Sequence, residues 1–123
     1  MRKFTLFLAA LLISMTAFSA KLYLTPNANW KNDNARFAAY FFGNGETWVS
    51  MTNADKDEYY EVEVPSGYTK VIFCRMNPSA SANNWNNKWN QTGDLTIPTD
   101  GKNLFTIPSG AWDGSTSTWS TKQ

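Results

Sequence analysis

The sequence predicts an all-β fold, an antiparallel sandwich of about seven to eight short strands, and three observations carry that prediction. Short segments alternate apolar and polar side chains, or run apolar on both faces. Clusters of Pro, Gly, Asn, Asp and Ser separate them at regular spacing. No stretch carries the three-to-four-residue apolar repeat of an amphipathic helix.

The first residues read as an export leader and not as part of the sandwich. Arg2 and Lys3 give a basic start, residues 4–13 are apolar except for Thr5, and Ala17-Phe18-Ser19 sets small residues at the −3 and −1 positions of a cleavage site. A signal peptide over 1–19 and a single domain over 20–123 follow. The apolar run is too short to span a bilayer and no later stretch approaches it. Membrane insertion is therefore not expected, and the product is secreted, periplasmic or held at the cell surface. No cysteine lies near the cut, which leaves no lipid attachment of the bacterial lipoprotein type.

Composition then excludes several functions. Eleven basic side chains face ten acidic ones, and loss of Arg2 and Lys3 with the leader turns the balance slightly acidic. Nucleic acid is not an expected partner, because phosphate binding needs a basic surface. Cys74 is the one cysteine, so stability must come from a core and not from an internal disulfide. Histidine is absent, which removes Ser-His and Cys-His nucleophile pairs, His-ligated metals and the commonest general base. Two carboxylates would suffice for glycoside hydrolysis. A domain this small rarely forms a cleft deep enough to raise the pKa of an acid, so no catalytic residues and no cofactor are expected.

Along the chain, Lys21-Leu-Tyr-Leu24 alternates and makes the first strand, closed by Thr25-Pro26-Asn27. Residues 27–34 are a polar turn around Trp30. Ala35-Arg-Phe-Ala-Ala-Tyr-Phe-Phe42 is rich in aromatics and stopped by Gly43-Asn44-Gly45, which favours a strand over a helix. Successive side chains alternate between faces. Phe37, Ala39 and Phe41 then share the core face, while Arg36, Ala38, Tyr40 and Phe42 share the face read as solvent. Residues 47–51 repeat the pattern, with Val49 and Met51 on one face and Trp48 and Ser50 on the other, which makes Trp48, like Tyr40, a candidate exposed ring. The turn at residues 53–58 begins with the Asn-x-Asp-x-Asp spacing of a calcium loop but lacks its glycine and closing glutamate, so no metal is expected. Residues 58–64 alternate, with Tyr60, Val62 and Val64 inward. Lys70-Val-Ile-Phe-Cys-Arg-Met76 is nearly apolar on both faces and fits the middle of a sheet, which makes Cys74 a small buried hydrophobe. Residues 94–97 and 103–107 are strands ending before prolines, and residues 116–121 add a last edge. Trp30, Trp112 and Trp119 are read as packing residues at sheet ends.

Between these strands lies Arg75-Met-Asn-Pro-Ser-Ala-Ser-Ala-Asn-Asn-Trp-Asn-Asn-Lys-Trp-Asn-Gln-Thr92. Trp85 and Trp89 stand among primary amides, each able to donate and to accept. An indole covers the apolar face of a pyranose ring, and amides satisfy hydroxyls that lose water on binding. Asn84, Asn86, Asn87 and Gln91 are the candidate hydroxyl partners.

Taken together, Lys21-Leu-Tyr-Leu with Trp30, the 35–42 strand, Trp48 with Met51-Thr52, Val64-Pro-Ser-Gly-Tyr68, and above all Val71-Ile-Phe-Cys-Arg-Met-Asn-Pro78 followed by Asn84-Trp-Asn-Asn-Lys-Trp-Asn-Gln-Thr92 and Asp94-Leu95, resemble carbohydrate-binding module family 26. The similarity covers nearly all of residues 20–123, and its specific part is 71–95. The resemblance implies an immunoglobulin-like sandwich without catalysis, usually appended to amylases, that holds α-1,4-glucans on an aromatic platform. Members of the family place two tyrosines two positions apart on the second strand and a tryptophan after it. Tyr40 matches the second tyrosine and Trp48 the tryptophan, whereas Ala38 stands in place of the first tyrosine. In the related family 25 a tryptophan from a later Asn-containing loop completes the site, which offers Trp85 or Trp89 as the replacement, one stacking on sugar and the other anchoring the loop. The expected partner is starch or another α-glucan, with an amylase or a cell-surface glucan-uptake complex as the protein partner. A protein-interaction module using the same exposed rings is the alternative.

Overall fold

Lys70–Met76 (β6) is the strand on which both halves of the sandwich depend, and it forms over the residues its composition predicts. The computed structural model describes residues 20–54 and 58–123. The leader proposed for residues 1–19 and the centre of the calcium-like turn, residues 55–57, lie outside the described residues. Ahead of β6 come Lys21–Thr25 (β1), Arg36–Phe42 (β2), Glu46–Ser50 (β3), Thr52–Asn53 (β4) and Tyr60–Glu63 (β5). After it come Lys88–Gln91 (β7), Leu95–Thr96 (β8) and Leu104–Thr106 (β9). One sheet has the order β4-β5-β1-β9 and the other β3-β2-β6-β7, with β8 also pairing β6.

The alternation in the sequence explains the layers. Phe37, Ala39 and Phe41 of β2 and Val71 and Phe73 of β6 face Leu22, Leu24, Val62, Phe105 and Ile107 across the sandwich, all buried. Removing a Phe side chain of this kind from water contributes roughly 1.5–3 kcal/mol. The opposite face of β6 is buried as well. Ile72, Cys74 and Met76 join Ala38 in a second apolar cluster, with Tyr40, Phe42 and Trp48 packed on it. The face of β2 read as solvent is thus half covered, because a later loop lies over its Arg36 end.

The chain is the expected all-β sandwich of two mostly antiparallel sheets, and four details differ. The sandwich is not wholly antiparallel: β1 and β9 run parallel, Tyr23 opposite Leu104. The described residues form nine strands and not seven or eight, because β4 follows β3 directly and β7 arises inside the polar Asn-rich stretch. The turn around Trp30 contains a short helix, Ala28–Lys31 (α1), capped by Asn27, whose Oδ1 accepts from the Trp30 N–H at 2.9 Å. The edge strand expected over 116–121 reduces to one bridge, Leu104 to Ser120. Trp119 beside it packs on Phe73 and Phe105, as a packing residue should.

Gly114 is held against Phe105 so closely that a Cβ there would lie 2.3 Å from the ring. Phe105 is itself buried on the core side and has nowhere to move. Gly114→Ala is therefore expected to lower stability by about 1–3 kcal/mol, the ordinary range for overpacking, in a urea melt. An unchanged midpoint would mean that the tail is not docked on the core.

Candidate functional site

Pairing register brings Tyr40 of β2 opposite Trp48 of β3 on one side and Ile72 of β6 on the other, on the outer face of the five-stranded sheet. The neighbouring cross-strand row is Ser50, Ala38, Cys74 and Gln91, all small or flexible. A side chain no larger than methyl at position 38 leaves room beside Tyr40, and Trp85 lies there against both rings. The Tyr40 and Trp48 centroids are 5.0 Å apart, Tyr40 and Trp85 4.8 Å, and Trp48 and Trp85 4.7 Å. The three planes are mutually tilted by 58°, 59° and 66°. Trp85 is 42% exposed, whereas Tyr40 and Trp48 are half-buried.

The loop that delivers Trp85 is pinned by Arg36, which sequence reasoning passed over. From β2 its guanidinium donates to the carbonyls of Asn77, Ala80 and Ala82 and to Asn83 Oδ1. Asn83 in turn donates to Ser50 Oγ at 3.0 Å, tying the loop to β3. A single 3-10 turn over Trp85–Asn87 then orients the indole, with Asn84 Oδ1 accepting from the Asn87 N–H at 2.9 Å. Here the fates of the predicted amides divide. Asn84 caps the turn, and the Asn87 amide donates to the Ala82 carbonyl at 2.9 Å. Asn86 is exposed and makes no hydrogen bond among the described residues. Gln91 Oε1 accepts from Lys88 Nζ at 2.7 Å, and that ammonium lies 5.8 Å from the Trp85 ring. Lys88, absent from the predicted set, therefore borders the rings.

Trp89 does not join the cluster. The β6–β7 register shifts between Arg75 and Met76, and a bulge re-aims the side chain at that point. Trp89 lies instead over the Arg75 guanidinium at 4.7 Å, with Trp112 on the same group at 5.5 Å. Trp112, expected to pack at a sheet end, is 49% exposed.

Two ionisable groups are shifted in this region. Burial, and next the neighbouring Glu46 carboxylate, hold the Tyr40 pKa above its ordinary value. Tyr40 therefore stays neutral beside the carboxylate of Glu46 at the sheet edge. Burial pushes the Cys74 thiol from 9.0 up to about 12. In that window the native protein keeps a proton that the unfolded chain releases, so this thiol makes stability fall as pH rises through it and has no effect below. A disulfide reagent at pH 8 is expected to leave the native thiol unmodified and to titrate it once urea unfolds the chain. Rapid native labelling would contradict the burial.

No protein-family model matches this chain. A search of curated proteins likewise finds no significant relative. The arrangement must therefore be judged by its chemistry. It offers three tilted aromatic surfaces, bordered by the exposed amide of Asn86, a glutamine, an ammonium and a carboxylate.

Proposed function

We propose that this chain is an exported, non-catalytic carbohydrate-binding module for starch, glycogen or maltooligosaccharides, of the kind found in family 26. The observation that carries this reading is the convergence of Tyr40, Trp48 and Trp85, from three separate segments, into one exposed cluster with tilts of 58–66°. A flat β-1,4-glucan ribbon needs a coplanar row of rings, whereas an α-1,4-glucan curls and meets rings set at an angle. Asn86, Gln91, Lys88 and Glu46 supply donors and acceptors for hydroxyls at the rim. Trp85 takes the stacking role that the sequence leaves open between Trp85 and Trp89. A shallow surface cannot enclose its ligand, so oligosaccharide affinity belongs in the micromolar to millimolar range, about −4 to −8 kcal/mol.

Affinity electrophoresis through amylopectin, dextran and cellulose tests the reading. Retardation is expected in amylopectin and reversal by millimolar maltoheptaose. Trp85→Ala, removing the most exposed ring, is expected to weaken binding by about 1–3 kcal/mol, taking base stacking on aromatics as the nearest measure. That is roughly 5- to 150-fold in affinity. Retardation by cellulose alone would overturn the substrate class. Indifference to every glycan, with a protein partner retained in maltoheptaose, would favour an interaction module.

A further inference from the structure

We propose that Trp89 and Trp112 form a second stacking surface for a neutral pyranose chain, at the end of the sandwich beside α1 and separate from the Tyr40–Trp48–Trp85 cluster. The inference extends the glycan-binding reading, and the test below separates the two.

Among the described residues the exposed large apolar side chains are Trp85, Trp89 and Trp112, at 42%, 41% and 49%. The last two flank one buried cation. Arg75, 5% exposed, donates from Nε to the Trp30 carbonyl and from Nη2 to the Asn32 carbonyl, both at 2.8 Å, and from Nη1 to Asn90 Oδ1 at 3.0 Å. A guanidinium so engaged holds both indoles by cation–π attraction. The backbone beneath Trp112 is pinned as well, by Trp30 Nε1–H to the Trp112 carbonyl at 2.9 Å and by the Asn27 amide to the Ala111 carbonyl at 2.7 Å. Two large aromatic surfaces are thus kept in place in water before any ligand arrives, which lowers the ordering cost of binding.

The rim decides the occupant. Asn32 and Asp33 are exposed beside Arg75, Asp113 follows Trp112, and Asn90 lies next to Trp89. Arg75 spends its donors on protein carbonyls, on Asn90 and, at 3.5 Å, on Asp33, and the exposed carboxylates of Asp33 and Asp113 repel anions. Acidic polysaccharides and phosphorylated ligands are therefore disfavoured. Amides and carboxylates around flat rings match hydroxyls around the CH-rich faces of a neutral sugar. With two surfaces on one domain, a long polysaccharide gains an intramolecular second contact that a short oligosaccharide cannot make.

The test is a maltoheptaose titration of uniformly 15N-labelled protein, following the indole N–H resonances. Trp89→Phe and Trp112→Phe, which keep an aromatic ring over Arg75, assign the two signals. Saturable shifts are expected at Trp89 and Trp112, persisting in Trp85→Ala with a Kd changed less than about threefold, as for independent sites. Shifts at Trp85 with Trp89 and Trp112 stationary would overturn the second surface and leave the first intact. Shifts at Trp89 and Trp112 that vanish in Trp85→Ala would overturn their independence. No shift at any indole would overturn both readings.

Discussion

Phe41→Ala is expected to cost about 3–5 kcal/mol of folding stability, the ordinary penalty for emptying a buried aromatic site, while Tyr40→Ala next to it costs roughly 1–2 kcal/mol. Both residues lie on β2, and adjacent residues on a strand point to opposite faces. Phe41 is fully enclosed between the sheets, so its removal leaves a cavity lined by side chains that cannot collapse. Tyr40 is half-buried on the outer face, and its neighbours Phe42, Trp48 and Trp85 can resettle at the surface. Sugar binding should respond in the opposite sense, falling in Tyr40→Ala and surviving in Phe41→Ala wherever the latter remains folded. Chemical melts in which Tyr40→Ala is the worse variant would place Tyr40 in the core and remove the proposed platform.

Arg75→Ala is expected to cost at least about 3 kcal/mol, because it strands carbonyls that a charged donor satisfies in the folded state. The Coulombic share of this is small. Asp33 approaches Arg75 only to 3.5 Å and its side chain is 77% exposed, a geometry in which ion pairs contribute about 0–1 kcal/mol. Asp33→Asn should therefore be nearly silent, and the cost of Arg75→Ala should persist in high salt. Arg75→Lys should rescue little, since an ammonium cannot span the Trp30 and Asn32 carbonyls and Asn90 together. Urea melts of the three variants decide the matter. Full rescue by lysine, or a strong salt dependence, would show that charge and not the fork of hydrogen bonds holds α1 to β6.

How far these features were legible in the sequence depended on whether their cause was local. β6 could be read end to end because both its faces are apolar, and the outward placement of Tyr40 and Trp48 followed from residue parity along each strand, although their pairing across strands did not. β7 could not be read. Lys88–Gln91 has no apolar alternation and becomes a strand because the edge of β6 offers it a ladder. The parallel β1–β9 pair is equally non-local, since strand order is set by how the sheets close. At the site, composition picked out the tryptophans and amides as a group, yet it could not assign their roles. Trp85 and Trp89 separate because one follows a 3-10 turn and the other a bulge. Asn84 and Asn86 are chemically identical and both exposed, and only backbone geometry gives the first a capping hydrogen bond.

The Arg36 guanidinium has a consequence for the order in which this protein becomes competent. It grips loop groups 41 to 47 positions further along the chain, so Trp85 cannot be held against Tyr40 and Trp48 until that long segment has been closed. Closure of this kind comes late in the assembly of β proteins, after the entropy of distant pairing has been overcome. A chain still emerging from the ribosome therefore carries all three rings without the cluster they form. On the proposed glycan-binding reading, recognition begins only with completed tertiary structure, and a partly folded chain escapes premature capture by polysaccharide through these three rings.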